Sequence, residues 1–395
     1  MIIILKKAGG LNNINKIKIV LTIFFVVTLF SKNANTTVVN DYEIENLINE
    51  IIKPIIISSK IKTTKPYVYI ILSDVPNAYV DPFNRIFITT SFISIIDPEA
   101  LAGVIAHEIG HIKLHHIEKR ISNLKEKKSM MDIATILSLS ASIFSNNPNI
   151  FMGSNIASSE IINKNLINYS IDQEREADIV GLRYLEESGI TSESLKNFLI
   201  KLLKINESIG INEKKFNILT HPYKSDRINK IKDFQLISKH NESFFSEDIH
   251  NRFELVKQKI DGYTNSLNEI KLKYKNLENG KNSYAYSIGY AREGYIEESI
   301  KNINILISMD KNNPFFYETK GEILLNFGYS DEAYKFFKKS LYMNQKNDFL
   351  RIRIIEYLYN KMENKTDATV ILKEFDKINI NINNNKKILQ IISEV

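Results

Sequence analysis

The stretch HEIGHIKLHH, residues 107 to 116, holds four of the chain's seven histidines within ten positions. Side chains four apart on a helix share a face, so His107 and His111 can aim both imidazoles at one Zn²⁺ about 2.0–2.1 Å away. His115 lies another turn along, too far from His107 to complete the same site. Glu108 follows the first candidate ligand, where a carboxylate can take a proton from an attacking water; His-Glu-x-x-His is the spacing that zinc peptidases use for this. The reading needs a helix, and the flanking residues supply one. Asp97 is a candidate N-cap, Pro98 suits the first helical position, and LAGVIAHEIGHIKLHHIEKR continues the pattern to about Arg120. In such a helix His115 and His116 read as polar residues of the last turns, where a cation complements the helix dipole.

A catalytic zinc keeps one position open beside three protein ligands. The metzincin route, a histidine six residues after His111, is closed because Ile117 stands there and Leu114 replaces the expected glycine. The third ligand should then be a carboxylate, and the best run is EREAD, residues 174 to 178. It sits in a helix read over SIDQEREADIVGLRYLEESGI (170–190) that stops near Gly189. Glu174 and Asp178 share a face of that helix, so one can bind zinc while the other orients a ligand imidazole. Spacing does not assign which does which.

The 395 residues exceed one ordinary domain, and 44% hydrophobic with 25% charged residues is a folded composition. The net charge of +6 includes five lysines and no acid in residues 1–34, which leaves about +1 for the rest, so no nucleic-acid partner is indicated. With no cysteine, disulfides, thiolate metal sites and cysteine nucleophiles are excluded. Lysines up to residue 18 precede the apolar run IVLTIFFVVTLF (19–30), which is short for a span of about 20 residues but suits a secretory signal. Residues 1–34 are therefore expected to be a signal peptide or an uncleaved membrane anchor, directing the rest out of the cytoplasm. Beyond it we expect a helix from about 41, β-like runs at 68–72 and 85–90 separated by turn formers, and further helices near 193–207 and from about 220. The run RIFITT (85–90) could pair an extended substrate at a sheet edge, or be internal.

The C-terminal part repeats itself at a spacing of 34 residues: Gly294 and Gly328, Tyr295 and Tyr329, Glu298 and Glu332, Ser299 and Ala333, Asn313 and Asn347. The unit from 314 to 347 resembles the tetratricopeptide consensus, with Tyr317, Gly321, Gly328, Ala333 and Ser340 at nesting positions. A weaker third copy starts at 348 with Ala368 displaced by one, and helices at about 247–277 begin the array. The expected fold is α+β, mainly α. A helical zincin-type metalloprotease domain with a small β-sheet occupies 35–245, and a tetratricopeptide α-solenoid occupies 246–395, offering a concave surface to partners.

HEIGH with the downstream ExEAD, together with NAY at 77–79 and THP at 220–222, resembles the HtpX and CaaX-prenyl-endopeptidase family of gluzincin metallopeptidases, and the repeats resemble its exported bacterial branch. The resemblance implies one zinc per chain, Glu174 as third ligand, Glu108 as general base and Asp178 as the partner of a ligand imidazole. It also implies that His221 lies near the metal, as a reversible fourth ligand or oxyanion donor, and that Arg227 is a positive group stabilising the transition state. The expected activity is hydrolysis of peptide bonds in unfolded or misassembled proteins of the periplasm, with the repeats recruiting substrates or an outer-membrane assembly machine. A chaperone or scaffold with a structural zinc competes with this reading, but would have no use for Glu108. The long connection 121–168, with the apolar segment 130–144, is expected to act with His221 as a lid.

Overall fold

The computed structural model describes residues 38–61, 68–81, 83–119, 122, 169–209, 225–240, 242–275, 280, 282–360 and 377–378. The described residues gather into one compact unit. The expected signal or anchor, the segment 130–144, His221 and Ala368 lie outside the described residues. Among the described residues no helix is long and apolar enough to cross a membrane.

The architecture is α+β, mainly α. Helix α1 (Tyr42–Ser59) starts where the Asp41 side chain accepts the Ile44 N–H at 3.1 Å and ends at Lys60, which turns left-handed. Its residues Leu47, Ile48, Ile51, Ile52 and Ile55 recur at helical spacing and are buried. Three strands follow, β1 (Val68–Ile71), β2 (Ala78–Val80) and β3 (Ile86–Thr89), in the order β1-β3-β2. Strand β3 is parallel to β1, with Val68 opposite Ile86, and antiparallel to β2, with Ala78 opposite Ile88. The rings of Tyr69, Phe87 and Tyr79 stack across all three strands at 5.4 and 5.2 Å.

One expectation changes here, and one open alternative is decided. Residues 78–80, read as part of a turn, form a strand, because Asp81 gathers the β2–β3 turn around its carboxylate and frees the preceding residues to pair with β3. The run RIFITT supplies the central strand, so β3 has no edge to offer a substrate; among the described residues β2 is the edge strand on that side.

The helices that follow are α2 (Thr90–Ile93), α3 (Pro98–Lys113), α4 (Ile171–Ser188), α5 (Glu193–Ile209) and α6 (Ser225–Gln235). After them come α7 (Glu247–Thr264), α8 (Leu267–Lys273), α9 (Ser283–Arg292), α10 (Ile296–Met309), α11 (Pro314–Asn326), α12 (Ser330–Met343) and α13 (Asp348–Asn360). One apolar core joins α1, the sheet and α3 to α6, and α7 contributes Phe253, Val256 and Ile260 to it.

The 34-residue spacing is visible in backbone geometry. Gly294 and Gly328 have φ of 89° and 86°, and the following Tyr295 and Tyr329 each donate to a carbonyl five residues back at 2.9 Å. Only glycine adopts that left-handed turn at no steric cost. Asn313 and Asn347 each accept a backbone N–H at 3.0 Å, two and three residues on, and Gly321 has no room for a Cβ, which would lie 2.5 Å from the Phe337 ring.

A buried ionic cluster binds α1 to these later helices. Lys259 Nζ, 1% exposed as a side chain, lies 2.7 Å from Asp41 Oδ2 and 3.0 Å from Glu43 Oε2, while the Tyr284 hydroxyl donates to Glu43 at 2.7 Å. Replacing Lys259 with Met leaves two carboxylates facing each other without their cation. We expect a loss of about 3–5 kcal/mol in stability, read from the denaturant midpoint, far more than an exposed lysine would give.

Candidate metal centre

Helix α3 starts where Asp97 accepts the Ala100 N–H at 2.8 Å, with Pro98 at its first position. It runs through the core, and His107, Glu108 and His111 are all buried on it. Helix α4 opens with a reciprocal capping box between Ser170 and Gln173 and stops at Gly189, whose φ is 75°. Its Glu174 and Asp178 are buried.

Two glycines set the approach of α3 to α4. A Cβ on Gly110 would lie 2.8 Å from the Ala177 carbonyl oxygen, and one on Gly181 would lie 3.0 Å from the His107 nitrogen. Both clashes are with backbone, which cannot swing aside. Gly110→Ala is therefore expected to force the helices apart, lowering stability by about 1–3 kcal/mol and weakening metal binding, measured by thermal unfolding and by competition with a chelator.

This approach brings three ligand atoms together. His107 Nε2 and His111 Nε2 are 3.0 Å apart, and the Glu174 oxygens lie 3.4 Å from the first and 3.6 Å from the second. Tetrahedral ligands at zinc distances stand about 3.3–3.4 Å from one another, so the two nitrogens and one carboxylate fit that ion. The donor set, two imidazoles and one carboxylate, suits zinc equally well.

Asp178 faces the other nitrogen of His107, with Oδ1 2.9 Å from Nδ1. Arg227, from α6, forks onto this carboxylate, Nε at 2.7 Å and Nη2 at 2.6 Å, and its Nη1 lies 3.3 Å from Glu174 Oε2. Burial pushes Asp178 up, but the Arg227 charge and the His107 contact outweigh it and hold the carboxyl down to about 2. Burial and Arg227 push His107 down, yet its bonds to Asp178 and Glu174 carry it above its ordinary value. A proton on this imidazole competes with a metal for the same lone pair, so metal uptake weakens on acidification.

The expected continuous helix to Arg120 is interrupted. Helix α3 ends at Lys113, His115 adopts a φ of 55°, and helical turns resume at His116. His115 stays exposed, whereas His116 is fully buried with Nδ1 2.8 Å from His111 Nδ1. The reading of His116 as a polar residue of a last turn is thus corrected. On an unbroken helix residue 116 would point about 140° away from residue 111, and only the break redirects it. Sequence reasoning also missed Tyr169, whose ring stacks on His111 at 3.7 Å and 16°.

Residues 43–235 match Peptidase family M48. That segment belongs to this family. The chain resembles the Beta-barrel assembly-enhancing protease of Yersinia pestis, 22% identical over 196 residues, or 49% of this chain and 40% of that protein. The protein of the same name in Escherichia coli (strain K12) is 22% identical over 191 residues, or 48% of this chain and 38% of its own length. The chain thus aligns with less than half the length of these curated relatives. A shorter match, 42% identical over 53 residues, is to the Protease HtpX homolog of Persephonella marina, covering 12% of this chain and 18% of that protein.

Proposed function

We propose that the chain is a zinc endopeptidase of the cell envelope that hydrolyses unfolded or misassembled proteins. The reading rests on one observation above the others: two imidazoles and a carboxylate with zinc-like separations, and Glu108 next to the first of them on the same buried helix. His107, His111 and Glu174 would hold the ion. A bound zinc would supply polarisation of the scissile carbonyl and a lowered pKa for the attacking water, bringing it near neutral pH. Glu108 removes the proton from that water as its oxygen bonds to the carbonyl carbon, then delivers it to the amide nitrogen as the C–N bond breaks.

Asp178 acts through His107, fixing its tautomer with Nε2 free for the ion. Arg227 was expected to stabilise the transition state; with its guanidinium engaged by Asp178 and Glu174, we assign it to positioning those carboxylates instead. For His221 the family resemblance alone supports a place near the ion. The edge strand β2 is the segment suited to align an extended substrate, since backbone pairing selects unfolded chain.

The repeats, with their equivalent glycine turns and asparagine caps, support a tetratricopeptide module from about residue 246 that recruits substrates or partners. The name of the Yersinia and Escherichia relatives makes β-barrel assembly the process to examine first. The 19–30 segment supports export to the periplasm. A reporter fused after residue 40 should be active outside the cytoplasm, and activity confined to the cytoplasm would refute this. For the activity itself, the purified full chain should cleave an unfolded protein, stop on chelation and resume with one equivalent of zinc. Cleavage indifferent to chelation would defeat the proposal.

A further inference from the structure

The two ligand imidazoles are held from behind by different groups. His107 has a carboxylate, Asp178, whereas His111 has another imidazole. Once His111 presents Nε2 to a metal, its proton must sit on Nδ1, and a buried N–H needs an acceptor. The atom 2.8 Å away is His116 Nδ1, which can accept only if the His116 proton is on Nε2. That second nitrogen lies 3.1 Å from Glu176 Oε2, a carboxylate that accepts it. The chain of donors therefore runs one way, from His111 through His116 to Glu176, and specifies both tautomers.

The backbone is arranged for this contact. His115, a non-glycine residue, takes a left-handed conformation between the end of α3 and the turn that follows, and the next residue is turned wholly into the interior. Tyr169 covers one face of the His111 ring, so stacking restrains its tilt while His116 restrains its rotation. Glu176 lies on α4 between Glu174 and Asp178, which puts outer partners and a ligand on one helix.

We propose that His116 is a positioning residue for the metal centre, accepting the His111 Nδ1–H and, with Glu176, fixing the tautomer and ring plane in which His111 binds the ion. The proposal rests on the zinc reading above. It adds to the site a residue and an exposed carboxylate that act only through His111.

The test uses the purified full chain and measures zinc affinity by chelator competition, the visible spectrum of the Co²⁺-loaded protein, and the melting temperature after metal removal. His116→Leu keeps bulk without an acceptor, and His116→Asn keeps an acceptor near the Nδ1 position. Leucine should weaken zinc binding about 10- to 100-fold and alter the Co²⁺ bands while the metal-free melting temperature stays close to the parent's; asparagine should stay within a few-fold. Parent-like affinity with leucine, or equal losses with both substitutions, overturns the proposal. If His116→Leu does not fold, Glu176→Ala at its exposed position decides: several-fold weaker binding supports the relay, and unchanged binding overturns it. Failure of the zinc reading looks different, because the unsubstituted chain then takes up no zinc and the role of His116 falls with it.

Discussion

Glu108→Gln is expected to retain about one zinc per chain and to lose hydrolysis of an unfolded substrate by roughly 10³-fold or more, equivalent to about 4 kcal/mol of transition-state stabilisation. The substitution is nearly isosteric, removes no ligand atom and leaves the buried helix packing around position 108 unchanged in volume. It takes away a group that can carry a proton from water to the leaving nitrogen. An amide cannot do so at any accessible pH. The measurement pairs kcat/KM on a quenched peptide with elemental analysis of the same sample. Loss of zinc together with activity would make Glu108 part of the binding site, and unchanged activity would remove it from the chemistry. A protein that keeps its metal and binds but does not cut is also a trap for the natural substrate.

The pair His107 and His111 was legible from sequence because the helical repeat alone brings residues four apart onto one face, and the Asp97 cap and Pro98 start were legible for the same local reason. The end of that helix was not. Apolar periodicity continues past Lys113 through Ile117, and nothing in it signals that a histidine would turn left-handed at 115. Strand β2 was hidden because Pro, Asn and Asp surround three strand residues, and the strand exists through pairing with β3. Residues 174 and 178 lay on one face in the sequence reading, but their separate tasks depend on the crossing of α3 and α4, which Gly110 and Gly181 set. Contacts made across such crossings, such as Arg227 on Asp178, lie beyond local spacing. So does the continuity of the core into α7, since Phe253 and Val256 look like any buried helix positions until α1 is seen beside them.

Glu174 and Asp178, indistinguishable by spacing, are expected to separate on zinc affinity. Glu174 places Oε2 3.4 Å from His107 Nε2 and Oε1 3.6 Å from His111 Nε2, the two imidazole nitrogens that would share the ion, so Glu174→Ala leaves two ligands of three. If about 10–16 kcal/mol of zinc binding is shared among four coordinating groups, losing one costs roughly 2.5–4 kcal/mol, a fall in affinity of about 10²- to 10³-fold. Asp178 is one bond further out, 2.9 Å from His107 Nδ1, and Asp178→Asn retains an oxygen that can still accept from that nitrogen. What asparagine loses is the charge that holds Arg227 and fixes the imidazole, so the expected fall is about 10- to 100-fold, with full stoichiometry recovered at saturating zinc. Chelator competition on the two variants and the parent ranks them directly. The reverse order, with Asp178→Asn the more damaging, would exchange their tasks. It would also mean that the carboxylate clasped by Arg227 gives up that bond to reach the ion, a rearrangement that Arg227→Met would then make easier rather than harder.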